Sequence, residues 1–291
     1  MKFSLRQIEV FIAVARHENV SKAAEHLYMS QSAVSGSLKE LEKHFNLQLF
    51  DRIGKRLQLN EHGKNLRAHS ESLMAMANDI ETELDQHSSL GKLTLGATLT
   101  IGDYLCAELI EAYLALAPQA KLKLNIANTH AIAQELLDFE IDVGLIEGEY
   151  QHPDLDIQPW RQDELVVFCA TNHPLAQKHS VELKDLLLQE WILREQGSGT
   201  RQCFDNAMRG HLHALKIHLE FEHTEVIKRA VSRNMGISCL SKITLEHELQ
   251  SGSLVALNCK ELNLTRTLYL AIHRHKYHSP SIDAWLNICK I

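Results

Sequence analysis

The sequence predicts an α/β protein with an N-terminal winged helix-turn-helix, a long linker helix and a larger C-terminal half. Three observations support this order. Two short helical segments and a basic turn fill residues 19–59, a proline-free polar stretch fills 60–87, and apolar β-rich runs recur from Lys92 onward. At 291 residues the chain exceeds one hydrophobic core, so two or three domains are expected.

Charge is divided unevenly along the chain. Residues 1–67 carry 11 Lys and Arg against 7 Asp and Glu, whereas the remainder carries 19 against 30. The net charge of the whole chain is -7, but the first segment alone is +4. A basic segment with a helix-turn-helix pattern favours duplex DNA as the first partner.

The first two helices form the base of the predicted DNA-binding domain. Ser4 and Gln7 fit a capping box, and helical apolar spacing carries the first helix to about His17. A short second helix is predicted over 21–28. Its paired alanines, Ala23 and Ala24, allow two helices to approach closely.

The third helix is the predicted recognition helix. Ser30 is its expected N-cap, while Val34, Leu38 and Leu41 are expected to face inward. This leaves short polar side chains on the outer face, at the end where such a helix meets base edges. The predicted base-reading side chains are Gln31, Ser32, Ser35 and Lys39.

A basic hairpin follows the recognition helix. Strands are predicted over 47–52 and 56–59, joined through Ile53, Gly54 and Lys55. The basic side chains of this hairpin can contact DNA phosphates or enter the minor groove. The alternative is a solvated basic hairpin that does not contact DNA. With Arg6 of the first helix included, the predicted DNA contacts are Arg6, Gln31, Ser32, Ser35, Lys39, Arg52, Lys55 and Arg56.

The linker helix shows a seven-residue repeat. Leu59, Leu66, Leu73 and Ile80 lie seven apart, which is typical of a coiled-coil seam. A dimer is therefore predicted. The alternative is a single amphipathic helix that lies on its own domain.

Several phrases of the N-terminal segment carry a family resemblance. They are Ser21-Lys22-Ala23-Ala24, Ser30-Gln31-Ser32-Ala33-Val34-Ser35 and Leu49-Phe50-Asp51-Arg52. With these phrases in this order the chain resembles a LysR-type transcriptional regulator along essentially its whole length. Gly54-Lys55-Arg56-Leu57 and Gly197-Ser198-Gly199-Thr200-Arg201 are similar to the YeiE-like subgroup.

The resemblance implies how the C-terminal half is arranged. Alternating strands and helices predict α/β sheets. The family adds a two-lobed effector domain similar to type 2 periplasmic binding proteins, with a homotetramer built as a dimer of dimers and RNA polymerase as a further candidate partner. The expected domains are 1–58, 59–88 and 89–291, with lobe I at 89–163 and 265–291 and lobe II at 164–264.

A small anion is the predicted effector of the cleft between the lobes. Ligands of such sheets bind beyond the carboxyl ends of strands, where helix N-termini favour anions. Three segments there carry hydroxyl, amide or guanidinium groups, and two further residues are secondary candidates. The predicted ligand residues are Thr98, Leu99, Thr100, Asn128, Thr129, Ser198, Gly199, Thr200 and Arg201, with Glu147 and Thr224 secondary.

Two alternatives stay open for the cleft. Ser and Thr also serve as ordinary helix caps, and Arg201 could serve a surface ion pair. Glu147 disfavours a fully charged anion unless Arg201, Arg194 or a proton offsets it. Resemblance to the YeiE-like subgroup implies a sulfur oxyanion such as sulfite, and small organic acids remain open.

Other function classes receive less support from the sequence. The chain has no G-x-S-x-G, H-E-x-x-H, Walker or G-x-G-x-x-G motif, so no enzyme activity and no cofactor are predicted. No nearby cysteine or carboxylate pattern completes a metal site with His273, His275 and His278, so no metal site is predicted.

The sequence also predicts where the protein acts. Its six cysteines are scattered, and it shows no signal sequence and no long apolar run, so a cytoplasmic protein without a membrane span is predicted. A solute-binding or sensor protein without sequence-specific DNA binding is the alternative function.

Overall fold

The computed structural model describes residues 2–53, 56–84 and 90–290. It contains two compact units, one of residues 1–92 with 274–283 and one of 93–273 with 284–291. The second stretch of the first unit, which we had expected in lobe I, packs on the linker helix, where the Ser72 hydroxyl donates a hydrogen bond to the His275 carbonyl.

The first unit begins with three helices, a hairpin and a long helix. In chain order these are α1 (Leu5–His17), α2 (Val20–His26), α3 (Gln31–Phe45), β1 (Phe50–Ile53), β2 (Arg56–Leu59) and α4 (Glu61–Leu84). The predicted capping box of Ser4 and Gln7 starts α1. The Ser30 hydroxyl caps α3 by accepting a hydrogen bond from the Ala33 amide at 3.2 Å.

The bounds of α2 and β1 differ from the prediction at both ends. Helix α2 starts earlier because the Asn19 side chain accepts hydrogen bonds from the Ser21 and Lys22 amides. Strand β1 starts at Phe50 rather than at 47. The residues before it are held elsewhere, since the Leu49 amide donates to the Glu42 carboxylate at 2.8 Å.

The core of the first unit gathers one face of each short helix. Phe11, Val14, Ala23 and Val34 are fully buried in it. Leu38 and Leu41 are also buried, as the helical spacing predicted. This packing turns the polar face of α3 outward.

The second unit alternates strands and helices. Its elements are β3 (Lys92–Thr98), α5 (Leu99–Tyr104), α6 (Cys106–Leu116), β4 (Lys121–Ala127), α7 (Thr129–Leu137), β5 (Val143–Glu147), β6 (Leu155–Ala170), α8 (Leu183–Leu187), β7 (Glu190–Arg194), α9 (Gly199–Ala207), β8 (Lys216–Phe221), α10 (Thr224–Ser232), β9 (Ser238–Ser241), α11 (Glu246–Ser251), β10 (Leu254–Leu257) and β11 (Thr265–His273). The last helix, α12 (Pro280–Cys289), begins in the second stretch of the first unit and ends in the second unit.

The long strand β6 belongs to both lobes. In lobe I the strand order is β6-β11-β5-β3-β4, while β10 and β9 pair with the second part of β6 in lobe II. Strand β11 returns antiparallel along β6, from Thr265 opposite Glu164 to His273 opposite Leu155. We refer to this pair as the β6–β11 ribbon.

Each lobe has its own apolar core. Ile132, Leu136 and Ile146 are buried in lobe I, and Trp191 and Phe204 are buried in lobe II. Each lobe therefore buries its own set of apolar side chains, and the polar residues described below lie between these sets.

Candidate functional site

The outer face of α3 carries the predicted base-reading side chains. Gln31, Ser32 and Lys39 are exposed, and Ser35 is half-buried. The Ser32 hydroxyl lies 3.0 Å from the Ser30 hydroxyl, at the first turn of the helix. The face is polar and open, which is what contact with base edges requires.

The hairpin presents two of its three predicted cations. Arg52 and Arg56 are exposed, and Lys55 lies outside the described residues. Because Arg52 pairs with Leu57 and Arg56 pairs with Ile53, the two arginines project from opposite faces of the hairpin. Arg6 forms an ion pair with Glu9 and donates to the Leu27 carbonyl at 3.5 Å.

One side of α4 keeps an apolar row. Leu66 packs on the core of the first unit, whereas Leu73, Met76, Ile80 and Leu84 are exposed. The later part of the predicted heptad seam is therefore open to solvent in a single chain.

In the second unit, the cleft brings together residues from both lobes. Thr100 lies in the first turn of α5, directly after β3, and Thr200 lies in the first turn of α9. Glu147 is the last residue of β5. All three are buried, and the Glu147 side chain lies between the two threonines.

The Glu147 carboxylate takes the hydrogen bonds that we expected an effector anion to take. The Thr100 amide donates to Oε1 at 2.8 Å, and the Thr200 hydroxyl donates to Oε2 at 3.0 Å. Burial would raise the pKa of Glu147, but the Arg266 guanidinium, the nearby Thr98 hydroxyl and Arg194 outweigh it and lower the pKa to about 2. Glu147 is therefore a charged carboxylate within the cleft.

Sequence reasoning missed Arg266, the cation at the centre of this cluster. Its guanidinium binds Glu147 Oε2 at 2.7 Å and Asp163 Oδ2 at 2.6 Å. It also donates to the hydroxyls of Thr200 at 3.0 Å and Thr100 at 3.3 Å. Because Arg266 comes from β11, more than a hundred residues after Glu147 and Asp163, no local motif pointed to it.

Of the groups that could offset Glu147, Arg201 forms its ion pairs with other residues. The Arg201 guanidinium is held by Asp205 at 2.9 Å, by Glu220 at 2.7 Å and by the carbonyl of Arg194. This arrangement corresponds to the alternative in which Arg201 serves an ion pair rather than a ligand. Arg194 does help to lower the Glu147 pKa, and it pairs with Glu195 at 2.8 Å.

The remaining predicted ligand residues border the cluster. The Thr129 hydroxyl donates to the Glu147 carbonyl at 2.7 Å, and Asn128 caps α7 while its amide donates to Glu195 at 3.3 Å. Ser198 caps α9 through the Arg201 amide. Thr98, Leu99 and Thr224 are buried at the ends of β3, α5 and α10.

Gly199 is required by the close approach of α9 to β5. A Cβ at this position would lie 2.0 Å from the Glu147 carbonyl oxygen. Only a residue without a side chain allows the first turn of α9 to reach the carboxylate.

A second polar contact joins the lobes on the other side of α5. The Tyr104 hydroxyl donates to Glu225 at 2.9 Å and accepts from Lys228 Nζ at 3.3 Å. Burial and the Glu225 hydrogen bond raise the pKa of Tyr104. Thr100 and Tyr104 share α5, so this helix takes part in both the Glu147 cluster and the Tyr104 contact with lobe II.

Replacing Tyr104 by phenylalanine is expected to weaken lobe closure. The change removes the hydrogen bonds to Glu225 and Lys228, and a hydrogen bond to a charged group contributes about 1.5–3 kcal/mol before solvent screening. Calorimetry should show weaker anion binding to Tyr104→Phe, and Tyr28→Phe, which changes an exposed tyrosine of the first unit, should bind like the wild type. Equal affinities for all three proteins would show that this contact has no part in closure.

Other site classes find no support in the described part of the chain. It contains no group of three or more His, Cys, Asp or Glu side chains placed to hold a metal ion. No helix in the same residues is long and apolar enough to cross a membrane. All six cysteines are free thiols.

Comparison with known proteins covers both units. Residues 5–64 match the family model for bacterial regulatory helix-turn-helix proteins of the lysR family, and residues 86–290 match the LysR substrate binding domain. The chain is 39% identical to the HTH-type transcriptional regulator YeiE of Escherichia coli K12, over 99% of this chain and 98% of that protein.

Two solved structures extend the comparison. A full-length OxyR variant of Pseudomonas aeruginosa has the same fold, with a TM-score of 0.74 at 22% identity over 100% of this chain and 96% of that one. The CcmR regulatory domain of Synechocystis PCC6803, in complex with 2-PG, gives a TM-score of 0.64 at 30% identity over 69% of this chain and 96% of that domain. These relatives are regulators rather than enzymes, as the sequence predicted. The chain belongs to the LysR family of bacterial transcriptional regulators.

Proposed function

We propose that this regulator acts in the cytoplasm and that a small anion, bound in the cleft of the effector domain, modulates its operator binding or promoter activation. The observation that carries the proposal is the convergence of Thr100, Thr200 and Arg266, from both lobes and the ribbon, on one carboxylate position. Donors of this kind recognise oxyanions.

The charge of Glu147 narrows the class of effector. A fully deprotonated dianion would be repelled by the buried carboxylate, whereas an anion that keeps one acidic proton could donate a hydrogen bond to it. The proposed effector is therefore a small monoprotonated oxyanion. Hydrogensulfite fits this description and the resemblance to the YeiE-like subgroup, and hydroxylated organic acids are the second class.

Calorimetry tests the effector. Hydrogensulfite is expected to bind the full chain, and its affinity should fall as rising pH removes the ligand's proton, while sulfate should bind weakly or not at all. Small organic acids serve as the comparison panel. Absence of heat for hydrogensulfite at millimolar concentration would remove it as the effector and leave the organic acids.

The regulatory response requires a difference in affinity between two arrangements of the lobes. A ligand shifts the population only if it binds one arrangement more tightly, and about 1–3 kcal/mol of coupling gives a 5–150-fold change in affinity. We propose that closure alters the spacing of the DNA-binding domains in a dimer of dimers, with RNA polymerase as a further partner. The exposed row Leu73, Met76, Ile80 and Leu84 is the proposed dimer seam.

Replacing Ser35 by alanine is expected to reduce discrimination between operator and competitor DNA. The hydroxyl lies on the outer face of α3, and loss of one base contact costs about 1–3 kcal/mol. Gel shifts with the upstream region of the protein's own gene should show a smaller ratio of specific to competitor binding, with unchanged anion affinity in calorimetry. Ser253→Ala, in the effector domain, is the matched control; an unchanged ratio for Ser35→Ala would remove this residue from base reading.

A further inference from the structure

A second cavity lies beside the Glu147 cluster in the effector unit. Its volume is about 490 Å³, which is within the range of small-molecule sites. The end of β5, the β6–β11 ribbon and one face of α9 form its walls. Arg266 is shared between this cavity and the anion site.

The walls of this cavity carry neutral hydrogen-bonding groups. The Gln162 amide donates to the Thr267 hydroxyl at 3.1 Å, and the Gln202 amide donates to the Glu149 carbonyl at 2.9 Å. These bonds fix the direction of both side chains. Each amide oxygen then remains an acceptor for a ligand.

The charge of the cavity is negative. Glu149 and Glu261 both line it as exposed carboxylates, and Lys184 lies near enough to Glu261 to interact with it electrostatically. Only one oxygen of Glu261 is used, since it accepts a hydrogen bond from the Leu183 amide at 2.7 Å. The positive charge of Arg266 is already balanced by Glu147 and Asp163.

We propose that this second cavity binds a small organic amine. Two carboxylates and fixed amide acceptors suit an ammonium group, which offers three donors and one positive charge. The same charges disfavour the anions that the Thr100 and Thr200 site would take. Because Gln202 and Asn206 line the cavity on α9, which also carries Thr200, the amine would bind to the helix that also forms the anion site.

Calorimetry on the full chain, without DNA and without any added oxyanion, tests the site. Putrescine and ethanolamine should give saturable heats, and their neutral counterparts 1,4-butanediol and ethylene glycol should not. The double variant Glu149→Gln/Glu261→Gln should bind the amines about tenfold more weakly. The matched double variant Glu111→Gln/Glu222→Gln, which changes two exposed carboxylates elsewhere, should bind them like the wild type.

A second variant tests the cavity by volume instead of by charge. Ala207→Trp should fill the space between α9 and the ribbon and abolish amine binding while hydrogensulfite binding is kept. The proposal is wrong if neither amine binds at millimolar concentration, or if the Glu149→Gln/Glu261→Gln protein binds them as tightly as the wild type. The amine titrations themselves are made without oxyanion, so a failure of hydrogensulfite to bind would not affect their outcome.

Discussion

Arg266→Met should destabilise the effector unit by about 3–5 kcal/mol, since removing one partner of a buried ion pair leaves uncompensated charge. Arg266 is 6% exposed, and its removal strands the buried carboxylates of Glu147 and Asp163. Urea unfolding of the full chain, followed through the transition of the effector unit, measures the loss. Arg233→Met, at an exposed arginine, should leave that transition unchanged.

A rescue experiment separates charge from packing at this site. Arg266→Met combined with Glu147→Gln and Asp163→Asn removes the stranded charges, so much of the lost free energy of unfolding should return. If the triple variant is no more stable than Arg266→Met alone, the loss comes from packing rather than from unpaired carboxylates.

The same ion pairs predict how stability depends on pH. The pKa of Glu147 is lowered from 4.5 to about 2 in the folded protein. Its contribution is therefore fully present above pH 4.5 and is lost as pH falls from there toward 2. In Arg266→Met the pKa of Glu147 should lie higher than in the wild type, because Arg266 makes the largest contribution to lowering it, so the acid loss from this group should start at higher pH.

Glu147→Gln should change the anion selectivity of the cleft. Glutamine keeps an acceptor for the Thr100 amide but removes the negative charge. Two like charges about 4 Å apart repel by about 4 kcal/mol at an effective dielectric constant of 20. Sulfate affinity should therefore rise by at least about tenfold, while hydrogensulfite loses a charged acceptor for its proton.

Calorimetry at one pH with both anions measures this selectivity. Glu111→Gln, an exposed residue of α6, is the control and should show the wild-type ratio. Circular dichroism checks that both variants are folded. An unchanged ratio in Glu147→Gln would mean that this carboxylate does not face the effector, and the monoprotonated class would then have no structural support.

The DNA-binding domain was largely predictable because its signals are local. The Ser4 capping box, the Ser30 cap and the inward positions of α3 each depend on residues within a few positions of one another. The start of β1 was not predictable in this way. Leu49 is held by Glu42, a contact that only the folded hairpin creates.

The effector site was predictable only in part, for the same reason. Thr100 and Thr200 were identified because strand ends and helix starts are visible in the sequence. The roles of Arg266 and Arg201 depend on contacts with other segments. Arg266 pairs with Glu147 from the returning strand β11. Arg201 pairs instead with Glu220 and Asp205. The type of each residue indicated which groups it can bind, whereas the fold determined which partner it meets.

The position of Arg266 on the β6–β11 ribbon has a mechanical consequence. When one lobe rotates about strands that both lobes share, atoms far from the rotation axis move most and atoms on the connecting strands move least. The Asp163 and Arg266 side chains arise from directly paired positions of those strands. Their ion pair is thus expected to survive opening, whereas the hydrogen bonds that Thr200 contributes from lobe II would break, so an incoming anion would reach the cleft before the lobe II half of the site is assembled.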